Sequence, residues 1–392
     1  MAVPGSFTEP DARSSFRLLI VSAEAPAEGH GSATALVTFI QAAVARRDWH
    51  LTIVAPDGPD PHWALPSERV RYLRLPNSRW PGRRWQLLRF IIQAISVCAR
   101  LGRSSPDLII SWQPIPAGLA GAISARIAHC PHVVRTCGPE LTFKWGRFPL
   151  TAAALRPVTT MILRNADAVV VKSEIELRLV GADAADRAFL IPNAVPSPFF
   201  AATPRPLIGD SPCVRLLTVC QLEPHKGVRQ LLRALTISHA AKDCELTVVG
   251  DGSQRAMLER MASVIGIRAY FLGRIPNHLL PAVYAEHHAF ILASAMEACS
   301  NAVLEAMACG LPVIGSSSAL SDLVEDDVTG ILAEGTNEHE ISHAITRFLA
   351  MRARIPAMQE AVRITAARHS PAGLVEAYDA MFRQLLPTDR SS

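Results

Sequence analysis

The 392-residue chain lacks most features that would fix its class at once. No apolar run approaches the roughly 18 residues needed to cross a bilayer. The first such run, Leu18 to Ala23, is only six residues long. The start, MAVPGSFTEPDARSS, has neither the basic beginning nor the long apolar core of a secretory leader. The expectation is a cytoplasmic protein, soluble or attached to one face of a membrane. Eight cysteines never fall into CxxC and lie scattered in apolar segments, which reads as reduced thiols. The histidines form no cluster with cysteine, His287-His288 reads as a loop feature, and no DxD triplet occurs. No metal and no cofactor are therefore expected. A net charge of +4 is too mild to point to nucleic acid.

Acidic residues are also missing locally. From Arg69 to Pro106 there are nine arginines and no Asp or Glu. Within this span, residues 79–103 set Trp85, Leu88, Ile92, Ile95 and Ala99 at helical spacing. Two readings stay open. One is a basic amphipathic surface meeting anionic lipid at the membrane periphery. The other is an ordinary helix with its apolar face inward and a basic rim.

What is present is a regular alternation. Short Val/Ile/Leu runs begin with RLLIVSA (17–23) and HLTIVAP (50–56) and continue through DLIISW, HVVRT, DAVVVKS and AFLIP. A second series runs VRLLTVC (214–220), CELTVVG, RAYFLG, HAFILAS and LPVIG (311–315). Helix-like stretches such as 33–46, 228–241, 253–265 and 300–309 lie between them. Continuous apolar runs flanked by helices predict parallel strands covered on both faces. The proline-rich segment 191–212 reads as a linker where the pattern restarts. The expected architecture is α/β, with two doubly wound Rossmann-like domains facing a central cleft. The bounds are a tail at 1–16, a first domain at 17–195, a second at 196–371, and a last helix at about 372–386.

Three stretches carry chemistry. In SNAVLEAMACGLP (300–312), Ser300 or Asn301 is a good cap, Gly310 a good stop, and Pro312 prevents continuation. The strand before this helix places its free N–H groups at the carboxyl edge of a sheet, a seat for phosphate. Glu305 lies one turn inside that helix and Glu297 on the loop before it; both can accept bonds from sugar hydroxyls. In TVCQLEPHKGVRQLLRAL (218–235), Lys226 is a point charge suited to a pyrophosphate. In the first βα turn, Gly29 and Gly31 suit a backbone close to a ligand, although GxGxxG is absent.

Taken in order, VCQLEPHKG, VVGDGSQRAMLE, FLGRIPNHLLPAVYAEHHAFILASAMEACSNAVLEAMACGLPVIGS and EDDVTGIL resemble the retaining glycosyltransferases of family 4, with the GT-B fold. ADAVVVKSE and IPNAV, within 166–195, resemble the segment closing the N-terminal domain of that family. The resemblance covers about 17 to 385 and is strongest over 214–332. It implies transfer of a sugar from a nucleotide-diphosphosugar to a glycan or lipid-linked acceptor hydroxyl. It implies Glu305 on the ribose, Glu297 at the sugar, and Lys226 on the pyrophosphate with amides of Asn301, Ala302 and Val303. Arg274 and Ile275 would lie beside the base, and Gly29 and Gly31 would face the donor.

Gln221 stands where the family usually has an arginine. In VVRTCGPELTFKW, Arg135, Glu140 and Lys144 are the polar residues expected to meet acceptor or phosphates. Other readings on the same fold are a non-catalytic partner subunit, which Gln221 makes plausible, and a nucleotide-sugar epimerase.

Overall fold

The computed structural model describes residues 16–24, 31–46, 48–56, 68–75, 83–100, 106–137, 149–181, 184–204, 213–238, 242–295 and 297–386. The expected residues Gly29, Glu140 and Lys144 lie outside this set, as do the side chains of 83–87, Trp85 included.

The apolar runs form two parallel sheets. The first contains β1 (Phe16–Val21), β2 (Trp49–Ala55), β3 (Val70–Arg74), β4 (Leu108–Ser111), β5 (His132–Arg135), β6 (Ala168–Val171) and β7 (Ala188–Leu190). Their order is β3-β2-β1-β4-β5-β6-β7. The second contains β8 (Val214–Val219), β9 (Cys244–Val249), β10 (Ala269–Gly273), β11 (Ala289–Leu292), β12 (Val313–Ser316) and β13 (Gly330–Ala333). Its order is β10-β9-β8-β11-β12-β13. In each sheet the order reverses beside the first strand, between β1 and β4 and between β8 and β11. Ligands of doubly wound sheets bind at the carboxyl ends of the strands beside this switch.

Two strands were not foreseen. β3, VRYLR, sits at a sheet edge with its arginines exposed, so it never reads as a continuous apolar run. β13 is four residues long, and its Gly330 lies so close to β12 that a Cβ would come 1.9 Å from the Val313 carbonyl oxygen.

The proline-rich segment is more than a linker. A short helix, Ser197–Ala201, forms within it, and Phe199 is buried in the core of the second half against Tyr284. The Val195 amide donates to the His369 carbonyl at 2.9 Å. From there the helix Pro371–Leu385 returns to the first sheet. Its Tyr378 and Phe382 enter the core around Phe39 and Trp49, with Tyr378 and Phe39 rings 4.7 Å apart. Burying an aromatic side chain of this size stabilises by about 2–3 kcal/mol, so the returning helix is firmly held.

The helix Arg83–Ala99 leaves part of the sequence-derived stripe uncovered. Phe90 and Ala94 face the core, while Leu88 and Ile92 of the sequence-derived stripe are 47% and 55% exposed. Ile95 of the same stripe packs against that core, so the stripe lies across the boundary between the covered and the exposed side of the helix. His287 and His288 lie in the loop before β11, as expected, but not on the surface. Both are buried, with His287 Nε2 2.8 Å from Thr247 Oγ1 and His288 Nδ1 accepting from the Arg215 amide at 2.9 Å.

Candidate active-site cleft

A cleft of about 860 Å³ opens between the two sheets. It is lined from the first half by Gly31, Gln113, Arg135, Lys172 and Asn193. From the second half come Gln221, Lys226, Arg274, Ile275, Glu297, Asn301, Ala302 and Glu305.

Lys226 ends a short turn, Pro224–Lys226, just after β8. The next residue, Gly227, is left-handed at φ 70°, and a Cβ there would lie 2.1 Å from the Ala293 carbonyl oxygen. Glycine is thus required for a backbone contact, not for approach to a ligand. That contact brings the turn against the chain leaving β11. As a result Lys226 Nζ meets Glu297 Oε1 at 2.6 Å, with both side chains mostly covered.

The helix Asn301–Ala308 begins at the mouth of the cleft. Ser300 occupies the cap position with extended backbone, yet its side chain makes no capping bond. The first N–H groups of a helix have no partner inside it, so this start keeps its donors for other acceptors. Val303 itself is buried and holds the helix down.

Glu305 is not a surface helix residue. It is 4% exposed. Its Oε1 accepts from Asn277 Nδ2 at 3.0 Å and its Oε2 from the Tyr284 hydroxyl at 3.1 Å. Burial pushes this carboxyl up to about 7, against the lowering effect of those two bonds. Asn277 and Tyr284 were missed in the sequence. They are distant in the chain, and only the placement of Tyr284 at helical spacing from Leu280 hints at its inward direction.

Asn301 joins the halves. Its Nδ2 donates to the Gly31 carbonyl at 2.9 Å, and its Oδ1 accepts from Asn193 Nδ2 at 2.6 Å. Asn193 Oδ1 in turn accepts from Arg135. Arg135 is buried, with its guanidinium 4.4 Å from the centre of the Trp112 ring. Beside it Lys172 Nζ faces Glu176 Oε1 at 3.4 Å, and Glu176 Oε2 accepts from Thr136 Oγ1 at 2.6 Å. Gln113, Lys172, Glu176 and Asn193 were also missed. The available signal was position: each follows a strand of the first sheet, at the edge where such sheets bind ligands.

The structure thus gathers Glu297, Lys226, Glu305, Gln221, Asn301, Ala302, Arg274, Ile275, Gly31 and Arg135 around one cleft. Gln221 and Arg274 are exposed at its rim. The sequence also contains His339-Glu340-Ile341-Ser342-His343, a spacing found on zinc-binding helices. Both histidines are exposed on the helix Glu338–Ala350 and neither lines the cleft. Among the described residues no group of three or more metal-ligating side chains forms.

Comparison with known proteins matches both halves to family models. Residues 31–194 match the glycosyl transferase 4-like domain, and residues 213–351 match glycosyl transferases group 1. A GDP-mannose-dependent alpha-(1-6)-phosphatidylinositol monomannoside mannosyltransferase of Mycolicibacterium smegmatis is 32% identical over 273 residues, 63% of this chain and 68% of that protein. A 2-deoxystreptamine glucosyltransferase of Streptomyces kanamyceticus is 27% identical over 66% of this chain and 73% of its own length. In fold, sucrose-phosphate synthase of Thermosynechococcus elongatus superposes with a TM-score of 0.77 at 21% identity, over 94% of this chain and 99% of that one. The Anabaena protein HepE, crystallised with UDP and glucose, gives 0.73 at 18% identity over 95% and 99%. The chain belongs to the family 4 glycosyltransferases and carries their GT-B fold.

Proposed function

We propose that this glycosyltransferase takes its sugar from a nucleoside-diphosphate sugar bound in the cleft, and transfers it with retention to a glycan or lipid-linked acceptor. One observation carries the reading. A helix start that Ser300 leaves uncapped stands between a buried carboxyl, Glu305, and the Lys226–Glu297 pair. That arrangement fits a ribose, a diphosphate and a sugar in sequence along one wall. Glu305 accepts from the ribose diol. The amides of Asn301, Ala302 and Val303 and the Lys226 ammonium hold the diphosphate. Glu297 accepts from sugar hydroxyls while keeping Lys226 in place. Ile275 and Arg274 flank the base at the rim.

Breaking the bond between sugar and phosphate puts negative charge on the diphosphate and positive charge on the sugar. Fixed donors aimed at the phosphate lower that barrier without reorganising. Glu297 and Glu305 lie on the same wall of the cleft, an arrangement unlike the two opposed carboxylates of a glycosidase. The reading is same-face attack by the acceptor hydroxyl, whose proton passes to the leaving phosphate. Lys226 and the helix amides supply charge that a metal would otherwise supply, so transfer is expected to survive chelation by EDTA. The catalysed names among the relatives include mannosyl transfer to an inositol lipid. A lipid-linked acceptor is in keeping with the exposed Leu88 and Ile92, flanked by exposed Ile123 and Ile127 on the adjacent helix.

The test is calorimetric binding of UDP-, GDP-, ADP- and dTDP-sugars to the wild type and to Glu305→Ala. Binding of one nucleotide class, lost in the variant, supports the donor site and names the base. Absence of binding at millimolar concentration removes it and favours a subunit without catalysis.

A further inference from the structure

Charge in the cleft does not balance where the leaving group would sit. Lys226 shares its charge with Glu297 at 2.6 Å, and Lys172 faces Glu176 at 3.4 Å. Gln221 is uncharged, and Arg274 is exposed at the rim. Arg135 differs from all of these. It is 3% exposed and, among the described residues, has no carboxylate within 4.0 Å. Its closest contacts are the face of Trp112, the side-chain carbonyl oxygen of Asn193, and longer approaches to Thr136 O at 3.5 Å and Cys137 Sγ at 3.9 Å, with the Tyr378 hydroxyl and the Glu176 carboxylate near enough to act on its charge.

A guanidinium does not shed its proton. Burial therefore cannot be relieved by neutralisation, as it can for lysine or glutamate. A buried charge without a partner is costly, and Arg135 lines the cleft, where a partner can enter. On the same wall Gln113 is 8% exposed, and its Nε2 has no acceptor. The chain of bonds from Arg135 through Asn193 ends on Asn301, the first residue of the helix proposed as the phosphate seat. Among the described residues, a cation with no ion-pair contact and a donor with no acceptor thus stand across the cleft from that seat.

We propose that Arg135 is the counter-charge for the sugar-linked phosphate of the donor, supplied by the first half in place of a cation at position 221. This rests on the donor reading above. In the step, the bond between the anomeric carbon and the phosphate oxygen breaks, and its electron pair stays on that oxygen. The acceptor oxygen forms the new bond to carbon, and its proton goes to the phosphate. Arg135 and Lys226 share the negative charge that develops before the proton arrives.

Titration of the full chain with a nucleoside diphosphate and the matching monophosphate tests this. Arg135→Met is expected to lose about tenfold or more in diphosphate affinity while monophosphate affinity stays within about twofold. Adding Gln221→Arg to that variant is expected to restore most of the loss. Arg135→Met that binds diphosphate like the wild type overturns the proposal. So does a variant whose only change is a raised KM for an anionic acceptor, since the charge then serves the acceptor. Should Arg135→Met fail to fold, Lys226→Ala decides: it keeps Arg135 and is expected still to prefer diphosphate, and equal binding of the two nucleotides overturns the assignment. A wild type that binds neither nucleotide defeats the donor reading itself, and the first titration distinguishes that case.

Discussion

Replacing Glu305 by glutamine takes one ionisable group out of a site that is 4% exposed. Burial raises that carboxyl from 4.5 to about 7. The folded protein therefore holds the proton more tightly than the unfolded chain. By linkage, stability falls as pH rises from about 4.5 to about 7, and the full cost of the buried charge persists above that. At about 1.4 kcal/mol per pH unit, that cost is on the order of 3 kcal/mol at pH 8. Glutamine fits the same shape. Its carbonyl can accept from Tyr284, and its amide can donate to Asn277 once that side chain turns over, because Asn277 Oδ1 has no partner of its own. The unliganded variant is thus expected to be more stable than the wild type at pH 8, by up to about 3 kcal/mol, with the gain vanishing toward pH 4.5. Urea denaturation across this range measures it. Nucleotide affinity should move the other way, by about tenfold or more, because a neutral amide accepts fewer and weaker bonds from a diol than a carboxylate. A variant equally destabilised at pH 5 and pH 8, or one that keeps the wild-type slope, refutes the reasoning.

Other changes have separate readouts. Lys226→Ala is expected to lower kcat by about a hundredfold or more, as removal of one fixed donor to a developing anion does, with rates measured at saturating donor. Gly227→Ala forces a Cβ to 2.1 Å from the Ala293 carbonyl at a left-handed position. A loss of about 2 kcal/mol or more in thermal or urea denaturation is expected. Asn301→Ala removes the bonds to Gly31 and Asn193. It should reduce kcat/KM about tenfold while moving stability by about 1 kcal/mol. Ile92→Asp lies on the exposed part of the stripe. It should leave stability within about 0.5 kcal/mol and abolish sedimentation with anionic vesicles if that face meets lipid.

The strands were legible where burial on both faces leaves only one kind of side chain. LLIV, LIIS and AVVV admit little else, and each became a central strand. VRYLR did not, because this edge strand carries an exposed arginine toward each face and buries none of its residues fully. The carboxylates of Glu297 and Glu305 and the Lys226 ammonium could be singled out because charge is unusual in apolar surroundings. Their environments could not. Glu305 takes its partners from positions 28 and 21 residues away, and Lys226 finds Glu297 across 71. Gly227 drew notice as a glycine beside a lysine, but its reason is a carbonyl in the chain leaving β11. The exposed orientation of Leu88 and Ile92 was equally hidden. The helical period identifies a stripe, and only the neighbouring helix and sheet decide which side of it is covered.

Asn301 ties these observations to one another. The two halves meet through a side chain whose own backbone begins the helix proposed to seat the diphosphate. The hydrogen bond its Nδ2 donates to the Gly31 carbonyl, and the one its Oδ1 accepts from Asn193, are made only when the sheets stand at this separation. Arg135 reaches the same point through Asn193, so its charge approaches the seat only in the same arrangement. On the donor reading, a bound diphosphate favours this arrangement by neutralising Arg135, and the arrangement favours the diphosphate by presenting that charge. Differential affinity of this kind is what a ligand needs in order to shift a conformational equilibrium. On that reading the buried Arg135 charge becomes a reason for the cleft to close on a donor and to shed water from the transfer step.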